Sequence, residues 1–349
     1  MKRRLLLLLW ALGTMLLVPG WVRAHDFEAI NSYGDTLYYN VLTDTTCALT
    51  YKGTSYYSFD EYRDTLIVPP SVLNEEDGLM RQVTHLAYNA FRQSSVRHLV
   101  LPEGLTTING AIVGTDSLRY IYVPSTLTTI QDGYLTSNLT SLEVLEWNAK
   151  QFTNTTGKSL FLNTSTFSSY NGLRKIIFGP DVEMIPANFC RSLSSLHTVV
   201  IPSNVSAIGT SAFYECDCLY EIYNQSMIPL EIGSSNYGNV SLNAKIIHSS
   251  LDEPSIFSYF PEWHVYLLNE ELHVFRYMGT SYEVNMPSSF LINNREYKRY
   301  SIDGGTFYGG PTSESVTSLT LSDSVAVLYD DALSNTRITS IIIPRALQR

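Results

Sequence analysis

Charge is scarce in this chain of 349 residues: Asp, Glu, Lys and Arg make up 16%, with 23 basic residues against 33 acidic ones. The net charge of −10, with no basic run in the body of the chain, excludes nonspecific binding to nucleic acid or to an anionic membrane. Cysteine is sparse as well. Four residues, Cys47, Cys190, Cys216 and Cys218, are too few for a disulfide-dense scaffold. They permit three pairings, among which the sequence does not choose. Cys216 and Cys218 are too close in sequence for a relaxed bridge within a strand, and Cys216 reads as a small buried apolar residue. None of the seven histidines falls in a short metal-ligand spacing, and Cys216-Asp217-Cys218 lacks the second pair a zinc site needs. Nucleophile-elbow, phosphate-cradling and dinucleotide motifs are absent. The expectation is a chain with no catalytic residues, no metal and no cofactor.

One long apolar run exists, from Leu5 to Val18. It is shorter than the roughly 20 residues a membrane-spanning helix needs. It follows Met1-Lys2-Arg3-Arg4 and precedes a small-residue site at Val22-Arg23-Ala24, the layout of a secretory signal peptide cleaved after Ala24. Removing residues 1–24 leaves 19 basic against 33 acidic residues, a formal charge of −14. No later segment is apolar enough to span a bilayer, so the mature chain is expected to be secreted or held at the cell surface or envelope.

What the chain has in quantity is a repeated phrase: apolar, two residues, apolar, one residue, apolar, then often Pro. It occurs as VRHLVLP (96–102), LRYIYVP (118–124), LEVLEWN (142–148), LRKIIFG (173–179), LHTVVIP (196–202) and LYEIYNQ (219–225), with successive starts 22, 24, 31, 23 and 23 residues apart. A second phrase follows (EGLTTI, STLTTI, SNVSAI), then SAFYEC or a degenerate form. Side chains alternate along a strand, so the apolar positions share one face. One unit has too little core to fold alone; stacked units build a continuous one. Where Pro follows the strand it ends the ladder, because it has no N–H to donate. The SAFYEC-type segment is expected to return the chain as a short helical turn or bend.

The stretch LHTVVIPSNVSAIGTSAFYECDCLYEI (196–222) resembles the BspA-like leucine-rich repeat family, whose units carry a Leu-x-x-Ile-x-Ile-Pro strand, a Val-x-x-Ile phrase and an Ala-Phe-x-x-Cys closing segment. The likeness is also specific at 96–130 and degrades at 142–195, where the polar stretch QFTNTTGKSLFLNTSTFSSYN interrupts the rhythm. It implies a β-rich α/β solenoid with a parallel sheet. It also implies association with the bacterial surface and adhesion to host matrix proteins, glycans or other cells.

A second regularity spans the chain. YKGTSY (51–56) returns as YMGTSY (277–282), and the correspondence continues from VPPSV and VRHLVLPEGLTTI to NMPSSF and VTSLTLSDSVAVL, then from LRYIYVP to ITSIIIP. Each hexapeptide is read as part of a β-hairpin module preceding a repeat array, its Gly placed at a hairpin turn or bulge. The expected organisation is a signal peptide at 1–24 and a β capping module at 25–80. A repeat array with a degenerate closing unit follows at 81–265, with Trp263 packed on the last turn. A second β module with partial repeats occupies 266–349.

With no chemistry-bearing motif, the candidate site is a surface. The outward strand positions are His98, Val100, Tyr120, Tyr122, Val144, Glu146, Lys175, Ile177, Thr198, Val200, Glu221 and Tyr223. Tyr and β-branched residues suit strands in general, and Tyr is also favoured at interfaces. The expected partner is a host or bacterial surface protein or a glycan. The alternative is an envelope component that recruits partners through an open strand edge.

Overall fold

The computed structural model describes residues 25–52, 62–92, 94–110, 112–113, 117–131, 133–137, 141–162, 172–307, 316–334, 336–345 and 347. The leader at 1–24, most of the first hexapeptide and residues 163–171 of the polar stretch lie outside them.

The six copies of the repeated phrase form the central strands of one sheet of eight parallel strands. In spatial order they are Arg63–Ile67, Ser95–Val100, Tyr120–Val123, Val144–Trp147, Lys175–Phe178, Thr198–Ile201, Glu221–Asn224 and Ile246–His248. Their register stacks Leu99, Ile121, Leu145, Ile176, Val199 and Ile222 into one inward column, each fully buried. Each such side chain contributes about 1.5–3 kcal/mol by leaving water. The second phrase adds short parallel pairs, Thr107–Ile108 with Thr129–Ile130 and Met184–Ile185 with Ala207–Ile208. Neighbouring coils approach so closely that a Cβ on Gly209 would collide with the backbone of Ala187.

The expected α component is corrected. The only helix among the described residues is the 3-10 turn Tyr237–Asn239. The closing segments are tight turns because left-handed residues recur along them: Asn188 and Ser192 in one coil, Ser211 and Glu215 in the next, all with positive φ. A residue in that region cannot continue a right-handed helix. The fold is therefore a strand-dominated repeat architecture built on parallel sheets. Phe189, Phe213, Cys190 and Cys216 are buried on these turns, and all four cysteines are free.

Upstream of the array, Phe27–Ile30, Thr36–Thr43, Thr46–Thr50, Leu79–Leu86 and Thr107–Ile108 pair in that order, while Arg63–Ile67, Ser95–Val100 and Tyr120–Val123 pair in the main sheet. The same order recurs later. Phe257–Tyr259, Trp263–Leu268, Glu271–Tyr277, Tyr300–Ile302 and Val325–Leu328 form one sheet, and Glu283–Asn285, Ser318–Thr320 and Ser340–Ile342 another. The second hexapeptide joins these two sheets, so Gly279 does not sit in a hairpin turn. It is Gly because a Cβ would run into the Tyr277 ring.

Trp263 also departs from expectation. It packs on Tyr277 and Phe307 in the core of the later strand set, not on the last turn of the array, because its strand pairs with Glu271–Tyr277. The expected boundary after residue 265 falls inside that strand. Between the two cores lies a small third one of Phe257, Tyr266 and Phe275, with Tyr220 against it. His197, His264 and Arg276 are buried beside these rings.

Candidate functional site

The register places the outward residues in two straight columns. His98, Tyr120, Val144, Lys175, Thr198 and Glu221 are successive partners in one; Val100, Tyr122, Glu146, Ile177, Val200 and Tyr223 are successive partners in the other. Two positions at each end of the columns escaped the sequence pattern. Thr65 and Ile67 pair with His98 and Val100, and Ile246 and His248 pair with Glu221 and Tyr223. The phrase is too degenerate in those strands for its spacing to mark them.

The columns differ along their length. His98 is exposed, and Val100, Tyr120, Tyr122, Val144, Glu146, Lys175 and Ile177 are half-buried, as side chains on an open sheet face are. The Tyr120 hydroxyl donates to Glu146 Oε2 at 2.6 Å, and the Tyr122 hydroxyl to Glu103 Oε1 at 3.4 Å. Glu103 also accepts from the Ser125 amide and hydroxyl at 3.0 and 2.8 Å. Burial, then the neighbouring carboxylates, pushes both tyrosine hydroxyls above their ordinary range, so they remain donors at neutral pH. Ion pairs Arg97–Asp64 and Arg119–Glu143 flank the columns.

Thr198, Val200, Glu221 and Tyr223 are buried instead, a correction to the expectation of one open face from end to end. The chain itself covers them. Glu221, 0% exposed, accepts from the Ile256 amide at 2.8 Å, the Ser255 hydroxyl at 2.9 Å and the Thr198 hydroxyl at 3.0 Å. His248 Nε2 lies 3.2 Å from the same carboxylate, and its Nδ1 lies 3.0 Å from Glu253. The Tyr223 hydroxyl donates to the Glu253 carbonyl at 3.1 Å, and burial followed by Glu221 pushes it up to about 12. Residues 249–257 thus strap the last third of the face. No sequence signal announced this strap, since its anchor is a carboxylate that reads as an exposed repeat position.

Among the described residues no three or more His, Cys, Asp or Glu side chains are grouped to hold a metal ion. No helix among them is long and apolar enough to cross a membrane.

The BspA type leucine rich repeat region matches residues 78–166, 151–259 and 283–349, in six copies. The chain belongs to this family. The BspA-type match covers the main sheet's central strands and resumes in the later strand set. Two solved structures are similar to the chain at low identity. One is a leucine rich cell surface protein from Faecalibacterium prausnitzii A2-165, 16% identical, with 92% of this chain and 78% of that one covered at a TM-score of 0.28. The other is a leucine-rich repeat protein from Bacteroides ovatus ATCC 8483, 14% identical, with 89% and 88% covered at 0.19. No curated protein matches the chain.

Proposed function

We propose that this BspA-type repeat protein is a non-catalytic adhesin or interaction module, exported by its leader and displayed at the cell surface. It binds a surface protein or glycan with the open part of the sheet face. The observation that carries the reading is the pair of columns from His98 to Ile177: half-exposed Tyr and β-branched side chains on rigid parallel strands, with carboxylates holding the tyrosine hydroxyls. Rigid aromatic side chains on such a scaffold bind with little loss of conformational entropy. In this reading residues 25–80 cap the first coil of the array, and residues 266–349 are a second β module with partial repeats of its own.

The test is a binding screen of residues 25–349 against extracellular-matrix proteins and glycans, with a Tyr120→Ala/Tyr122→Ala variant beside it. Binding lost in a variant whose circular dichroism matches the parent supports the reading. Binding retained in that variant, or no ligand at all in the screen, refutes the sheet face as the site.

A further inference from the structure

The two strand sets pair in the same order, so their residues can be matched one to one, and one match is unequal. In the first set Phe27 pairs with Tyr39, Tyr39 with Leu49 and Leu49 with Leu86. In the second Ser258 pairs with Val265, Val265 with Val274 and Val274 with Ile302. Two residues further along the outer strand, Ala29 opposite Leu37 corresponds to Phe260, which exchanges backbone hydrogen bonds with Trp263. The Phe260 ring packs against Phe290, their centroids 5.2 Å apart. At the matching place Ala29 offers only a methyl group, and a groove of about 620 Å³ opens between Phe27–Ile30 and Ser71–Asn74. That volume is within the range of about 300–1,000 Å³ typical of ligand sites.

We infer that this groove receives an extended peptide from a basic partner, with an aromatic side chain in the space above Ala29. Four observations define the occupant. Among the described residues, Phe27–Ile30 pairs only with Thr36–Thr43 and Ser71–Asn74 only with Leu79–Leu86, so each presents a free strand edge to an extended backbone. The void is where the second strand set holds a phenylalanine ring. Tyr39, fully buried and lining the groove, carries a hydroxyl with no hydrogen-bond partner, a state that buried polar atoms rarely keep. The charged lining consists of Glu28, Glu75 and Glu76, with no basic side chain, which selects Lys or Arg beside the aromatic residue. A second copy of this chain, itself at −10, is a poor electrostatic match for such a rim. Ile30, 72% exposed, and Leu73, 43% exposed, extend the apolar rim.

The probe is a fluorescein-labelled, end-blocked heptapeptide, Thr-Lys-Val-Phe-Val-Lys-Thr, titrated with purified residues 25–349 and read by anisotropy. Saturable binding that weakens with salt is expected, with Ala29→Phe and the exposed double variant Glu28→Lys/Glu76→Lys each at least about tenfold weaker. Tyr120→Ala/Tyr122→Ala should bind as the parent does, which keeps this inference separate from the sheet-face reading. Absence of saturable binding to the parent overturns the inference. So does an unchanged affinity when the peptide's Phe is replaced by Ala, since the acidic rim alone would then suffice. Ala29→Phe copies the packing of the second strand set. If it does not fold, the charge-reversed variant decides: unchanged affinity there overturns the proposal.

Discussion

Acid should loosen this protein well before its carboxylates titrate. His197 and His264 are 1% and 3% exposed at the junction between the array and the later strand set. Burial first, and then the nearby charges of Arg174 and Arg276, holds His264 down at about 3; burial first, then His264 and the same two arginines, holds His197 well below its ordinary range. His197 Nδ1 meets the Tyr259 hydroxyl at 3.0 Å, and Phe257 and Phe275 flank its ring. Among the described residues neither histidine has a carboxylate partner. Both are therefore neutral in the folded protein at pH 5, while in the unfolded chain they protonate near pH 6.5.

The sign follows from proton counting. Below about pH 6.5 the unfolded state binds protons that the native state refuses, so stability falls as pH drops; above that value both states are neutral and the term vanishes. At pH 5 each histidine costs about 2 kcal/mol, from about 1.4 kcal/mol per pH unit, and the pair costs about 4 kcal/mol. That is a large fraction of the roughly 5–15 kcal/mol holding a typical domain together. Urea unfolding of residues 25–349 at pH 7 and pH 5 measures it. The expected loss is about 4 kcal/mol in the parent, and most of it should vanish in His197→Asn/His264→Gln. Equal stability at the two pH values, or the same loss in the double variant, refutes the reasoning.

Arg276→Met should be neutral or stabilising by about 1–4 kcal/mol, because among the described residues the buried guanidinium meets only the Ser194 carbonyl and the Cys218 sulfur through Nη2 and leaves Nε and Nη1 unpartnered. The same variant should keep most of the acid response, since burial is the larger cause of both histidine shifts; a clear fall in urea midpoint would show that the guanidinium contributes more than it costs. Glu221→Ala should lose about 3–5 kcal/mol by the same assay, since it leaves His248, Ser255, Thr198 and the Ile256 amide facing a hole. A loss below about 1 kcal/mol would mean that the strap is held by its other contacts.

The sequence was most legible where one physical rule acts alone. The spacing of Leu99, Ile121, Leu145, Ile176, Val199 and Ile222 records a strand period under a burial constraint, and the structure stacks them as that rule demands. The outward columns follow by alternation, so their register was legible too. Their accessibility was not. Glu221 has the spacing of a surface residue, yet it is buried by Ser255 and Ile256, some 34 positions downstream and outside the repeat. Trp263 misled for a related reason: apolar pattern shows that a side chain is buried but not which of two adjacent cores receives it. The closing segments read as a short helical turn or bend because their apolar residues do not reveal a left-handed Asn188 or Ser211.

The recurrence of one strand order gives the chain an internal reference. Positions that the two strand sets fill alike, such as Leu49 and Val274 or Leu86 and Ile302, are what this topology needs in order to pack. Positions that they fill differently need another explanation. Phe257 and Tyr259 in the later set face the array and bury His197; their counterparts in the first set, Asp26 and Glu28, are exposed. Ala29 in place of Phe260 and Tyr39 in place of Val265 change both the shape and the polarity of a single groove. A drift toward poor packing would trim side chains without supplying a buried hydroxyl and a carboxylate rim at the same place. These changes converge on one 620 Å³ space, which argues for a groove shaped by what enters it.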